Sequence, residues 1–237
     1  MEHVARNRLL RSLPNAARQA VMRECEVVDL AAGTILEEAG APTKAAWFPE
    51  SAVVSTVASY GDGSTIEMAN VGREACTGVN LVLGLCDQLT TNEVQISGTA
   101  LRCPTESLLR LKSRHEDFRD ALFAAVQAVF YQVMVSGACN GAHDTRQRLA
   151  RWLLTMHDRT DGGEMRLTHE FLGHMLGLRR ATVTEAASAL QGEGLISYSH
   201  GRVEITDRPG LRRASCECYD LVRDAYDTLL PQRSDVA

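Results

Sequence analysis

The sequence predicts an α+β protein with an N-terminal antiparallel β-roll, one long helix, and a small C-terminal domain of helices and a hairpin. Three observations predict it. Across residues 27–102, short apolar runs alternate with Gly, Pro, Asp and Ser, the mark of an antiparallel roll. Across 116–143, apolar side chains recur at helical spacing for more than three turns. Across 168–190, two short helical patterns flank Gly177. At 237 residues and 45% hydrophobic, the chain is long and apolar enough for two cored domains.

Residues 5–23 carry Leu9, Leu10, Leu13, Ala17 and Val21 at helical spacing, predicting a short helix interrupted near Pro14. Strands are expected at 27–30, 34–36, 45–48, 53–58, 66–68, 94–96 and 100–102, with Gly61, Asp62 and Gly63 turning a hairpin. Pro104 opens a helix, and a longer one begins near Glu116. Along it Leu122, Val126, Val129, Val133 and Ser136 recur at steps of four and three, the seam of a coiled-coil dimer. A second stripe of Phe123, Gln127, Phe130 and Met134 is expected to pack back on the sheets. The boundaries read as 1–115 for the roll with flanking helices, 116–143 for the dimerisation helix, and 144–237 for the C-terminal domain.

In that last domain the stretch 168–190 fixes many positions at once. Gly177 suits a turn with positive φ, and Gly173, four earlier, lets two helices cross closely. Leu172, Leu176, Leu178, Val183 and Ala186 then face inward, while Arg179, Arg180, Thr182, Thr184 and Glu185 face outward. One helix backs a second that offers guanidinium and hydroxyl groups to a polyanion, as in a helix-turn-helix. Glycines at 192 and 194 close that helix. Residues 195–198 and 202–205 form a wing hairpin around His200 and Gly201, and Asp207 starts one final helix running to Pro231.

Formal net charge is −5, but residues 146–214 hold 11 Lys+Arg against 8 Asp+Glu. The positive excess coincides with the helix-turn-helix, as phosphate contact requires. Seven scattered cysteines and no C-x-x-C argue against a disulfide framework, a zinc ribbon or an iron–sulfur loop. Cys216 and Cys218 read as lying on one helix, where i and i+2 diverge, so the thiols are expected to be buried and idle. No metal site and no cofactor are expected. His169 and His174 stand five apart, too far around a helix to share a metal, and no nucleophile or phosphate-loop motif occurs, so no enzyme is expected. No run reaches the ~20 uninterrupted apolar residues of a spanning helix, and the N-terminus lacks a secretory pattern. A cytoplasmic protein without a membrane partner is the expectation.

A β-roll, a long dimer helix and a winged helix-turn-helix together resemble the Crp/Fnr family of bacterial transcription regulators over about residues 7–225, most specifically at 167–190 and the wing. The resemblance implies a cyclic-nucleotide-binding-like sensor domain and a homodimer on a palindromic double-stranded operator. It also implies RNA polymerase as a further partner. By family position Arg180, Ala181, Thr184 and Glu185 face base edges, Arg180 matching an arginine that reads guanine. Thr168 at a helix N-cap, its neighbour His169, Arg179 and Thr182 complete the expected DNA-facing set, chiefly toward phosphates.

The sensor departs from the nucleotide-binding pattern. Its degenerate pocket segment comprises Gly72, Glu74, Thr77, Gly78, Thr90 and Thr91. Thr77 stands where the family holds a ribose-binding glutamate, and residues 89–92 offer no arginine for a cyclic phosphate. The resemblance therefore implies regulation without cyclic AMP. The alternative is gating by a cyclic dinucleotide or by oxidation of Cys76 or Cys139.

Overall fold

The computed structural model describes residues 3–61, 65–160 and 162–232. Two short helices, α1 (Arg8–Arg11) and α2 (Asn15–Arg23), are separated by Pro14, whose missing N–H suits a helix start. The roll follows: β1 (Glu26–Leu30), β2 (Ile35–Glu37), β3 (Ala45–Pro49), β4 (Val53–Ser59), β5 (Thr65–Val71), α3 (Val79–Leu83), β6 (Thr91–Ile96) and β7 (Gly98–Pro104). They form two antiparallel sheets, ordered β1-β7-β3 and β2-β6-β4-β5. The β4–β5 hairpin is present as expected, with Ser59 opposite Thr65; Asp62 and Gly63 of its turn lie outside the described residues.

Helix α4 (Thr105–Arg114) leads into α5 (Glu116–Ala142), a 27-residue rod. Its buried face is Phe118, Leu122, Ala125, Ala128, Gln132, Val135 and Cys139. This corrects two expectations. Phe123, Phe130 and Met134 do not pack on the sheets but are exposed, and Leu122 of the expected seam is fully buried in the chain's own core. Because the helix is apolar on adjacent faces, periodicity alone could not say which stripe turned inward. The small Ala125 and Ala128 decide it, letting the roll and α1–α4 approach closely. Val126, Val129 and Ser136 are half-buried and Val133 is exposed. Helix α5 is also long and apolar enough, by composition, to cross a membrane, with an 18-residue mean hydropathy of 1.6. Gln127 and Gln132 interrupt its apolar run, so the helix passes on mean hydropathy and not as an uninterrupted apolar stretch.

Helix α6 (Thr145–Arg159) starts on a capping box formed by Asp144 and Gln147. The C-terminal domain continues with β8 (Met165–Arg166), α7 (His169–Leu176), α8 (Arg180–Gly192), β9 (Ile196–Ser199), β10 (Arg202–Ile205) and α9 (Arg208–Ala214). Its core gathers Leu149, Trp152, Leu153, Leu172, Val183, Leu190 and Leu211. The single final helix expected from Asp207 to Pro231 is two: after α9 the chain turns through Ser215, Cys216 and Glu217 before α10 (Cys218–Leu229). Helix α10 then crosses between domains. Tyr219 joins the C-terminal core, whereas Tyr226 and Leu230 join the N-terminal one.

Candidate DNA-binding site

The helix-turn-helix forms as its spacing requires. Thr168 caps α7 by accepting the Phe171 N–H at 3.1 Å. Gly177 ends that helix at φ +63°, and a Cβ on Gly173 would stand 2.8 Å from the Leu178 carbonyl oxygen. The two glycines serve the turn and the close crossing respectively. Leu172, Leu176, Val183 and Ala186 are buried and Leu178 is half-buried. Arg179 occupies the N-cap of α8 without a side-chain capping bond.

Arg179, Arg180, Ala181 and Glu185 are exposed at the start of α8, with Thr182 and Thr184 half-buried beside them. Neither arginine has an ion pair or side-chain hydrogen bond among the described residues, so both guanidinium groups project freely. His169 does not join that surface as a free contact. It stacks on Tyr198 at 4.2 Å between ring centroids and meets the Thr184 hydroxyl through Nδ1 at 2.9 Å. Burial, then the nearby Arg180 charge, lower its pKa, so it stays neutral and acts as a strut between α7, α8 and the wing. The wing turn is a two-residue one, with His200 at φ +49° and Gly201 at φ +73°. Such paired positive φ angles match the twist of a tight hairpin. The two-residue strand β8 adds a third strand through Arg166 opposite Arg202, an element too short for sequence periodicity to reveal.

A polar junction ties this domain to the roll. Arg159, at the end of α6, is 4% exposed at its side chain and meets Glu74 at 2.6 Å. It also donates to Asn70 and, at 3.2 Å, to Gln132 of α5. Tyr226 of α10 donates to the same Gln132 oxygen at 3.0 Å, and Trp152 of α6 donates to Glu67 of β5 at 3.1 Å. Burial is the main influence on Glu67 and pushes its pKa up.

Residues 147–214 match the family model described as the Crp-like helix-turn-helix domain. The chain carries a Crp-like helix-turn-helix domain. Among solved structures, a Crp-family transcriptional regulator of Thermus thermophilus is 19% identical, covering 79% of this chain and 96% of its own, at TM-score 0.67. FixK2 of Bradyrhizobium japonicum is 17% identical over 81% of this chain and 98% of its own, at TM-score 0.69. The c-di-GMP responsive global regulator CLP of Xanthomonas campestris is 14% identical over 81% and 99%, at TM-score 0.62. The Crp/Fnr fold thus extends over the roll, the rod and the Crp-like domain. No curated relative matches.

Within this Crp/Fnr fold, the expected pocket segment is occupied by the protein itself. Glu74 is committed to Arg159 and to the Gly72 N–H at 3.1 Å. A Cβ on Gly72 would lie 2.5 Å from Arg159 Cγ, so the glycine makes room for that side chain. Thr77 accepts the Trp47 N–H at 3.1 Å, and Gly78 starts α3 at φ +80°. Thr91 accepts from the Ala39 N–H at 3.4 Å and Thr90 from Gln88 at 3.5 Å. The polar groups of this segment are thus engaged by the protein's own atoms. Cys76 is buried, and desolvation pushes its thiol up to about 12, which disfavours the reactive thiolate.

The cysteines at the base of the Crp-like domain correct another expectation. Cys139, His143, Cys216 and Cys218 bring their ligand atoms within 4.8 Å of one another. The thiols are buried, as expected, but Cys216 and Cys218 are not neighbours on one helix. Cys216 lies in the turn before α10 and Cys218 at its first residue, so the two side chains converge instead of diverging. A separation of 77 residues hid Cys139 from Cys216. The sequence signals were the one-turn spacing of Cys139 and His143 and the C-x-C pair.

Proposed function

We propose that the protein is a sequence-specific transcriptional regulator that binds a palindromic operator as a homodimer, without cyclic AMP and without catalysing a reaction. The observation that carries this reading is the pair of unpartnered guanidinium groups, Arg179 and Arg180, at the exposed head of α8 in a Crp-like domain. Arg180 can place two donors on guanine O6 and N7, while Arg179 meets phosphate. Thr184, held by His169, and the neighbouring Glu185 and Ala181 complete the edge-reading face.

Dimerisation is supported by the stripe that α5 leaves uncovered. Phe123, Phe130, Val133 and Met134 are 38–61% exposed along one side of the rod. A second copy of the rod would bury them, and the half-sites would then lie about one helical turn, ~34 Å, apart. The seam is shifted from the one read in the sequence, with Val133 common to both and Leu122 left inside. The same two-faced burial accounts for the high hydropathy of α5 in a cytoplasmic protein.

Gel-shift selection on random-sequence duplexes tests the reading. An enriched palindrome bound by a dimer supports it; absence of any enriched site with folded protein overturns it. Cyclic AMP binding at micromolar or tighter affinity, measured by isothermal titration, would overturn the nucleotide-independent part.

A second reading, gating by a phosphate-bearing effector, is favoured by a cavity of about 270 Å³ at the domain junction, lined by Arg8, Arg11, Arg73 and Tyr219. Its test is whether a cyclic dinucleotide changes operator affinity.

A further inference from the structure

We infer that Cys139, His143, Cys216 and Cys218 form a closed tetrahedral site for zinc that pins the Crp-like domain to the rod. Four soft or borderline donors, three thiols and one imidazole, are the set that selects zinc over calcium or magnesium. The separations fit one ion. With Zn–S bonds of about 2.3 Å, a tetrahedron has edges of about 3.8 Å. Here Cys139 Sγ and Cys216 Sγ are 3.5 Å apart, and Cys218 Sγ and His143 Nδ1 are 3.7 Å apart. All four atoms fall within 4.8 Å, too tight for a multi-iron cluster to sit between them.

The surroundings are built to match. His143 points Nδ1 at the thiols and Nε2 at the Glu217 carboxylate, 3.2 Å away. A carboxylate that accepts the second ring N–H fixes the ligating tautomer of a metal-bound histidine. All three cysteines are buried, with Val135, Tyr131 and Val222 packed around them. Three thiolates and a divalent cation leave one negative charge. The guanidinium groups of Arg148 and Arg151 act electrostatically on Cys139, and each has a buried Nε without a hydrogen-bond partner among the described residues. Those N–H groups suit sulfur acceptors and offset the residual charge.

The topology gives the site its consequence. Cys139 and His143 stand on successive turns at the end of α5, immediately before α6. Cys216 and Cys218 stand immediately after α9. The Crp-like domain, 147–214, is the segment between the two ligand pairs. One ion therefore clamps the chain entering that domain to the chain leaving it, and holds both against the rod. Metal occupancy sets the orientation of α8 relative to the dimer axis; this consequence rests on the DNA-binding reading, whereas the site itself does not.

The test uses the full chain purified anaerobically. Elemental analysis should give one zinc per chain, and cobalt substitution should give the intense ligand-field bands of a tetrahedral thiolate site. Cys139→Ser, Cys216→Ser and Cys218→Ser should abolish stoichiometric binding, whereas Cys25→Ser, Cys86→Ser and Cys103→Ser should keep it. Should the serine variants misfold, Cys218→His keeps four donors and should retain the ion with a shifted cobalt spectrum. Glu217→Gln should weaken zinc about 10- to 100-fold. No stoichiometric metal, a Cys139–Cys216 disulfide in the native protein, or metal retained by the serine variants would each overturn the site. Chelation under reductant should lower operator affinity about 5- to 150-fold, the usual range of coupling between sites. Unchanged operator affinity after zinc loss overturns the clamp. A chain that holds zinc but binds no duplex in either state overturns the DNA reading and leaves the site standing.

Discussion

Replacing Arg159 by Ala should destabilise the fold by about 3–5 kcal/mol, the cost of leaving one member of a buried ion pair alone. The local geometry says where that cost resides. Gln132 Oε1 keeps the Tyr226 hydroxyl, and Asn70 keeps the Gln132 amide at 3.0 Å, so the amides remain paired. Glu74, 11% exposed at its side chain, keeps only the Gly72 N–H among the described residues. The loss is therefore the stranded carboxylate, and removing it should rescue the defect. Arg159→Met with Glu74→Leu should cost less than Arg159→Ala alone, a coupling readable in a double-mutant cycle. Gly72→Ala should reach the same junction from the other side. Its new Cβ falls within 2.7 Å of three Arg159 carbons, an overpacking worth about 1–3 kcal/mol. Urea unfolding read separately by Trp47 in the roll and Trp152 in the Crp-like domain should show both transitions moving. Arg159→Ala within about 1 kcal/mol of the parent, or a double variant as unstable as the sum of its singles, would refute the ion-pair account.

Arg180→Ala should lose about 1–3 kcal/mol on the selected operator and relax discrimination at one base position, measured by competition gel shifts. Arg179→Ala should weaken all duplexes alike and reduce the salt slope by about 1. Phe130→Glu places a charge in the uncovered stripe of α5, where Phe130 is 61% exposed, so sedimentation should show monomers with the fold intact. Glu37 is pushed up to about 7 by burial, its ordinary value being 4.5. Between those values the native state keeps a proton that the unfolded chain has lost, so stability should fall as pH rises from about 4.5 to about 7, by about 3 kcal/mol. Glu37→Gln should flatten that part of the stability profile in urea titrations.

The C-terminal domain was the most legible part because its constraints are local. Thr168 as a cap, Gly177 in positive φ and Gly173 beneath Leu178 involve residues within a few positions of one another. The strands of the roll were legible for the same reason, each marked by its own turn residues. Legibility failed where a residue's role depended on something distant in the chain. His169 reads as a surface residue until Tyr198 and Thr184 close on it. Residues 72–78 read as a degenerate ligand segment until Arg159, more than eighty positions later, fills the space beside Gly72. The extra turn between α9 and α10 carries neither Gly nor Pro to announce it.

By itself the sequence determined the order of elements, the helix-turn-helix and its basic face, because hydrophobic period, caps and glycines act through neighbouring residues. Only the tertiary structure decided which face of α5 lies inward, since that helix is apolar on adjacent stripes and small Ala125 and Ala128 settle the closest packing. It alone brought Cys139 to Cys216, because the folding of the intervening domain returns the chain to where it left the rod.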